Sequence, residues 1–154
     1  MEIKKELKKK LVDDLKFFYR LKFKTRCKFA EHLKISGTRL STLIHRETTY
    51  AFILLRLVLE CDTVANVKVT DKFGDVLLEF SSSNATEISN EIGKSLEMVV
   101  LREYATVKEY AKELNVFPGK LYQLVKGHRM PAIDTICDYF EQLGYKLQIS
   151  IEKA

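Results

Sequence analysis

Thr106–Pro131 reads TVKEYAKELNVFPGKLYQLVKGHRMP. Its spacing predicts two short helices joined by a tight turn. Tyr110, Ala111 and Leu114 share one face of the first helix, and Ala111 is small where two helices must cross closely. Asn115, Val116 and Phe117 make the turn, with Val116 as its plug. Pro118 suits the first turn of the second helix, where an N–H would lack a partner anyway. Leu121, Leu124 and Val125 give that helix a buried face, and Gly127 ends it. The other face carries Gly119, Lys120, Tyr122, Gln123 and Lys126. These are cationic and hydrogen-bonding groups on a rod of the width that a DNA major groove admits.

The flanking segments continue the helical pattern. Thr86 to about Tyr104 places Ile88, Ile92, Leu96, Val99 and Val100 at helical spacing. Met130-Pro131 opens a helix over about 132–142, with Ile133, Ile136, Phe140 and Leu143 inward and Gly144 as its stop. Tyr145 to Ile151 alternates and reads as a strand. In the first half, residues 2–22 form a long helix striped by Ile3, Leu7, Leu11, Leu15 and Phe18. Cys27 to Leu33 is a short helix. Ser36 caps a third helix over about 37–45, with Leu40, Leu43 and Ile44 inward. Residues 49–60 are apolar enough for a mostly buried fourth helix. Residues 64–80 read as a hairpin turned at TDKFGD. Ser81-Ser82-Ser83-Asn84 is the most loop-like tract and the natural seam between a first unit, 1–81, and a second, 82–154.

The two halves overlay when shifted by 81 residues. Thr25 meets Thr106, Phe29-Ala30 meets Tyr110-Ala111, and Leu33 meets Leu114. Ile35 meets Val116, Arg39-Leu40 meets Lys120-Leu121, and Leu43-Ile44 meets Leu124-Val125. Val64–Val69 falls on Tyr145–Ser150, so the strand is expected to repeat at the same offset. The order of elements and the shared Thr and Ala point to a structural duplication.

The second half resembles the Cro/lambda-repressor-like (XRE) helix-turn-helix family. Thr106, Ala111, Val116, Leu121, Leu124, Gly127 and Pro131 carry the resemblance, followed by the Ile133…Ile136…Leu143-Gly144 run. It covers about residues 86–151, with a weaker copy at about 3–69. It implies a mainly α fold with a small antiparallel β element: tandem helix-turn-helix units, each followed by a strand or hairpin. It also implies sequence-specific binding of double-stranded DNA as a transcriptional regulator. A repressor or antitoxin-like regulator of a phage or mobile element fits best. The alternative is a protein-interaction module that has lost DNA binding. In that family the helix after the turn enters the major groove. Carried over, Lys120, Tyr122 and Gln123 would read bases, together with Pro118 and Gly119 near the helix start. Lys126, His128 and Arg129 would lie near phosphates. The first-half equivalents are Thr38, Arg39, Ser41 and Thr42 for bases, with His45 and Arg46 beyond them. Lys22, Lys24, Arg26 and Lys28 would supply backbone contacts. The pattern departs from the family at Phe117, where the helix cap is usually Ser or Thr. In the first half Ser36 is kept, but the later Gly and Pro are replaced by Arg46 and Tyr50.

Composition is consistent with such a partner. The chain has 154 residues, 46% of them hydrophobic, which suits one domain or two very small ones. Residues 1–48 hold 14 basic and 6 acidic side chains, residues 1–81 hold 17 and 11, and residues 82–154 hold 9 and 10. The positive charge is therefore concentrated in the first half, where a polyanion would be met. No stretch is apolar for long enough to span a membrane. The start, MEIKKELKKKLVDDL, lacks the apolar core of a secretory signal, so a cytoplasmic location is expected. The three cysteines, Cys27, Cys61 and Cys137, sit in apolar-periodic segments and are expected as buried small hydrophobes. His32, His45 and His128 show no metal-ligand spacing. Neither a phosphate-cradling glycine loop nor a nucleophile motif is present, so no enzyme, cofactor or metal is expected. Phe17, Phe18, Tyr19 and Phe23 are expected in the core or at a dimer seam rather than stacked on bases. A homodimer is expected, as is pairing of the two strand regions within one sheet.

Overall fold

A computed structural model describes residues 2–125 and 132–154. The elements run α1 (Glu2–Phe23), α2 (Arg26–Leu33), α3 (Gly37–His45), α4 (Ala51–Leu59), β1 (Thr63–Thr70), β2 (Val76–Ser82), α5 (Ala85–Glu103), α6 (Val107–Glu113), α7 (Pro118–Val125), α8 (Ala132–Leu143) and β3 (Lys146–Lys153). Among the described residues this is a mainly helical fold with one small three-stranded antiparallel sheet, ordered β2-β1-β3.

Burial in the core recurs at an offset of 81 residues. Leu7, Leu11, Leu15, Phe18 and Tyr19 form the buried stripe of α1. Ile88, Ile92, Leu96, Val99 and Val100, each 81 positions later, form the buried stripe of α5. Phe29, Ala30 and Leu40 are buried, and so are Tyr110, Ala111 and Leu121 at the same offset. Phe52 and Leu55 of α4 correspond to Ile133 and Ile136 of α8, all four buried. The same apolar spacing therefore recurs on the buried faces of these helices in the two halves.

The strands repeat differently. The buried face of β1 is Ala65, Val67 and Val69, and that of β3 is Leu147, Ile149 and Ile151, an offset of 82. A shift of 81 would set buried Val67 against exposed Gln148. One residue flips a strand's faces, so burial admits only the even offset. The extra residue is taken up within the last part of α8, which continues to Leu143. The left-handed turn residues before the strands, Asp62 (φ 57°) and Gly144 (φ 83°), already obey the new offset. The 81-residue match of Val64–Val69 with Tyr145–Ser150 is thus corrected by one. Val67 lies directly opposite Ile149 in the β1–β3 ladder, and Ala65↔Ile151 and Val69↔Leu147 flank it as equivalent pairs. The ladder has an approximate twofold axis at Val67–Ile149.

Two further expectations are corrected. Ser81 and Ser82 belong to β2, opposite Asn66 and Ala65, because an edge strand is held by its backbone ladder and accepts polar side chains. The loop shrinks to Ser83, and Asn84 caps α5 by accepting from the Glu87 amide at 3.0 Å. Cys27 is exposed. Phe29 and Ala30 take the inward face of α2, and a residue two places before Phe29 points away. Cys61 and Cys137 are buried. In the aromatic cluster, Phe18 and Tyr19 are buried and Phe23 stacks on Phe29 at 5.0 Å, while Phe17 is exposed.

Candidate nucleic-acid interface

The α2–α3 pair is built by local chemistry. Thr25 caps α2, its hydroxyl accepting from the Lys28 amide at 3.2 Å. Lys34 adopts the left-handed conformation (φ 61°) and the Ile35 amide returns to the Ala30 carbonyl at 3.0 Å, which ends α2. Ser36 then caps α3 by accepting from the Arg39 amide at 3.0 Å. The α6–α7 pair uses the same bonds 81 residues on. Thr106 accepts from the Glu109 amide at 3.1 Å, Asn115 is left-handed (φ 57°), and the Val116 amide reaches the Ala111 carbonyl at 3.0 Å. Phe117 replaces the Ser at the start of the second helix and has no side-chain acceptor to offer.

Each post-turn helix buries one face and exposes the other. In α3, Leu40 and Ile44 are buried, and Thr38, Arg39, Thr42 and His45 are exposed, with Arg46 just beyond. In α7, Leu121, Leu124 and Val125 are buried, and Lys120, Tyr122 and Gln123 are exposed. Pro118 and Gly119 are half-buried. The Phe117 ring is 77% exposed and leans over Gly119, where a Cβ would stand 2.9 Å from the ring's Cε1. Lys126, His128 and Arg129 lie outside the described residues.

Several side chains are already engaged. Ser41 is half-buried and accepts from Arg26 Nη1 at 3.3 Å, so Arg26 braces α2 against α3. His45 Nδ1 lies 2.9 Å from the Ser41 carbonyl, which turns its other ring nitrogen outward. The Thr42 hydroxyl donates to the Thr38 carbonyl at 3.0 Å. Lys22 is paired with Asp62 at 2.9 Å. By contrast Lys24, Lys28, Arg39, Arg46 and Lys120 have no carboxylate within ion-pair distance among the described residues. Residues 24–46 hold six basic side chains and one acidic. This surface is therefore positive and uncompensated.

One part of the basic surface was legible only as a lysine-rich helix. A cleft of about 810 Å³ runs between the start of α1 and the α3–α4 connection, lined by Lys5, Lys8, Lys9, His45, Arg46 and Tyr50 among others. Glu47, Asp134 and Asp138 also line it, so its cations share the cleft with carboxylates. Lys8 is committed to Asp134 at 2.7 Å, whereas Lys5 and Lys9 are exposed.

Among the described residues no group of three or more His, Cys, Asp or Glu side chains is placed to hold a metal ion, and no helix is long and apolar enough to cross a membrane. No protein-family model, curated protein or solved structure matches this chain.

Proposed function

We propose that this chain binds double-stranded DNA through two Cro/repressor-like helix-turn-helix units in tandem and acts as a transcriptional regulator, a repressor or antitoxin-like protein. One observation carries the reading. Both post-turn helices present polar faces to solvent, and Arg39 on one and Lys120 on the other occupy matching positions with no carboxylate partner among the described residues. An unpaired cation at the start of an exposed helix reaches guanine edges or phosphates when that helix enters the major groove. The cations of α2 and of the α1 cleft flank it as backbone contacts. Fluorescence anisotropy with a labelled duplex of randomised core tests the reading. Binding that weakens steeply with added salt supports it. No binding at low salt overturns it.

A second reading has its own observation. Phe117 and Tyr122 leave aromatic surface exposed on α7 (77% and 43%), and exposed aromatics of this kind anchor protein partners. On this reading α7 docks a protein while α3 keeps DNA. Phe117→Ala would then abolish partner capture and leave duplex binding unchanged.

A further inference from the structure

The cleft of about 810 Å³ lies where three elements meet. The first half of α1 forms one wall, the α3–α4 connection a second, and Asp134, Thr135 and Asp138 of α8 a third. Its volume is that of a small-molecule site. The buried side chains Ile44 and Leu54 give it an apolar floor, and the ring of Tyr50 lines it half exposed.

The charges of the cleft do not cancel. Asp134 is taken up by Lys8 and by the Ala51 amide, both at 2.7 Å, and Asp138 by Lys4 at 3.5 Å. Glu47 alone is left to balance Lys5, Lys9 and Arg46. Those three have no carboxylate within ion-pair distance among the described residues. Lys5 and Lys9 stand one turn apart on α1, so both reach the same part of the cleft. Thr49 gives an independent sign. It lines the cleft at 5% exposure, and its hydroxyl has no hydrogen-bond partner among the described residues. A buried hydroxyl left unpaired is costly, and a ligand oxygen in the cleft would satisfy it.

We propose that this cleft binds a nucleoside diphosphate. The phosphates meet Lys5, Lys9 and Arg46, a ligand oxygen accepts from Thr49, and the base lies against Tyr50. Arg46 is also a phosphate contact on the DNA-binding reading. A nucleotide here therefore takes a cation from the duplex and promotes its release. Only this regulatory consequence rests on that reading.

Isothermal titration calorimetry of the full chain with ADP tests the site without DNA. It is run at about 0.15 M ionic strength, where distant exposed charges are screened. Saturable binding is expected. Lys5→Glu, Lys9→Glu and Arg46→Ala each weaken it about tenfold or more. Lys153→Glu, exposed and outside the cleft, changes it little. Thr49→Val weakens ADP binding without lowering the melting temperature of the chain alone, because its hydroxyl has no partner to lose. Adenosine and pyrophosphate each bind more weakly than ADP. No saturable ADP binding overturns the proposal. So does an equal loss in Lys153→Glu, or pyrophosphate that binds as tightly as ADP. ADP that leaves a bound duplex in place overturns the regulatory consequence. A chain that binds ADP and no duplex overturns the DNA reading alone.

Discussion

The carboxylate of Asp134, on α8, accepts a 2.7 Å hydrogen bond from the amide of Ala51, the first residue of α4. The residue at the N-cap of α4, Tyr50, has no side-chain cap of its own. A residue 83 positions downstream thus caps a helix in the other half of the chain. Lys8 of α1 closes the arrangement at 2.7 Å from the second carboxylate oxygen. The site is nearly buried, with Asp134 7% exposed. Asp134→Ala leaves an unsatisfied amide and a lysine without its partner. It is expected to destabilise the fold by about 2–4 kcal/mol. Asp134→Asn keeps an acceptor and should cost less. Urea denaturation of the two variants measures the difference.

The turns of the two helix pairs predict an asymmetry. Lys34 and Asn115 hold equivalent left-handed positions. Asn adopts that conformation at less cost than Lys. Lys34→Gly is expected to stabilise the chain by about 1 kcal/mol. Asn115→Gly should change little, since Asn is already suited. Thermal melts of the two variants check the contrast.

The cysteines separate by environment. Burial pushes the Cys61 thiol up to about 12 and the Cys137 thiol up to about 12, from an ordinary 9.0. The folded state thus holds protons that the unfolded chain releases above pH 9. Stability from this source is intact below pH 9 and falls as the pH rises from 9 towards 12. Burial also pushes the Tyr110 hydroxyl well up, which adds to the alkaline loss. Urea midpoints measured below and above pH 9 read the sign. In the native protein a thiol reagent should modify Cys27 alone, with Cys61 and Cys137 reacting only on unfolding.

On the DNA-binding reading, charge and hydrogen bonding are separable. Lys120→Ala and Arg39→Ala should weaken duplex binding and lower the salt slope by about one each, provided those residues reach phosphates. Gln123→Ala should weaken binding to a preferred sequence by about 1–3 kcal/mol and leave the slope unchanged. Anisotropy titrations at several salt concentrations distinguish the two behaviours.

The helices were legible because each is written as an apolar stripe. Leu7-Leu11-Leu15 and Leu121-Leu124 state their own period. The cap Ser36 marks the start of α3, whereas the capping roles of Thr25 and Asn84 emerge only in the structure. The one-residue slip before β3 was not legible. Tyr145 to Ile151 alternates as a strand should, but the helical match at 81 masks the even offset that its buried face requires. Cys27 lies outside the core because an eight-residue helix has too few turns for its apolar residues alone to fix one face. The cap that Asp134 places on Ala51 left no local signal, since the two meet only when α8 packs beside α4. For the basic surface, sequence supplied the cations and the structure separated those already paired, such as Lys22 and Lys8, from those left open, such as Arg39.

The Val67–Ile149 axis also bears on how the chain is made. β1 and β2 are neighbours in sequence and can zip together early, but the other flank of β1 waits for a strand that begins 76 residues after Thr70. Such distant pairing is slow to close. During translation that flank stands bare until Leu147–Ile151 has left the ribosome. In the interval, a β3 offered by a neighbouring nascent chain meets the same hydrogen-bonding groups. The symmetry that unites the finished fold therefore makes exchange of β3 between chains its characteristic assembly error.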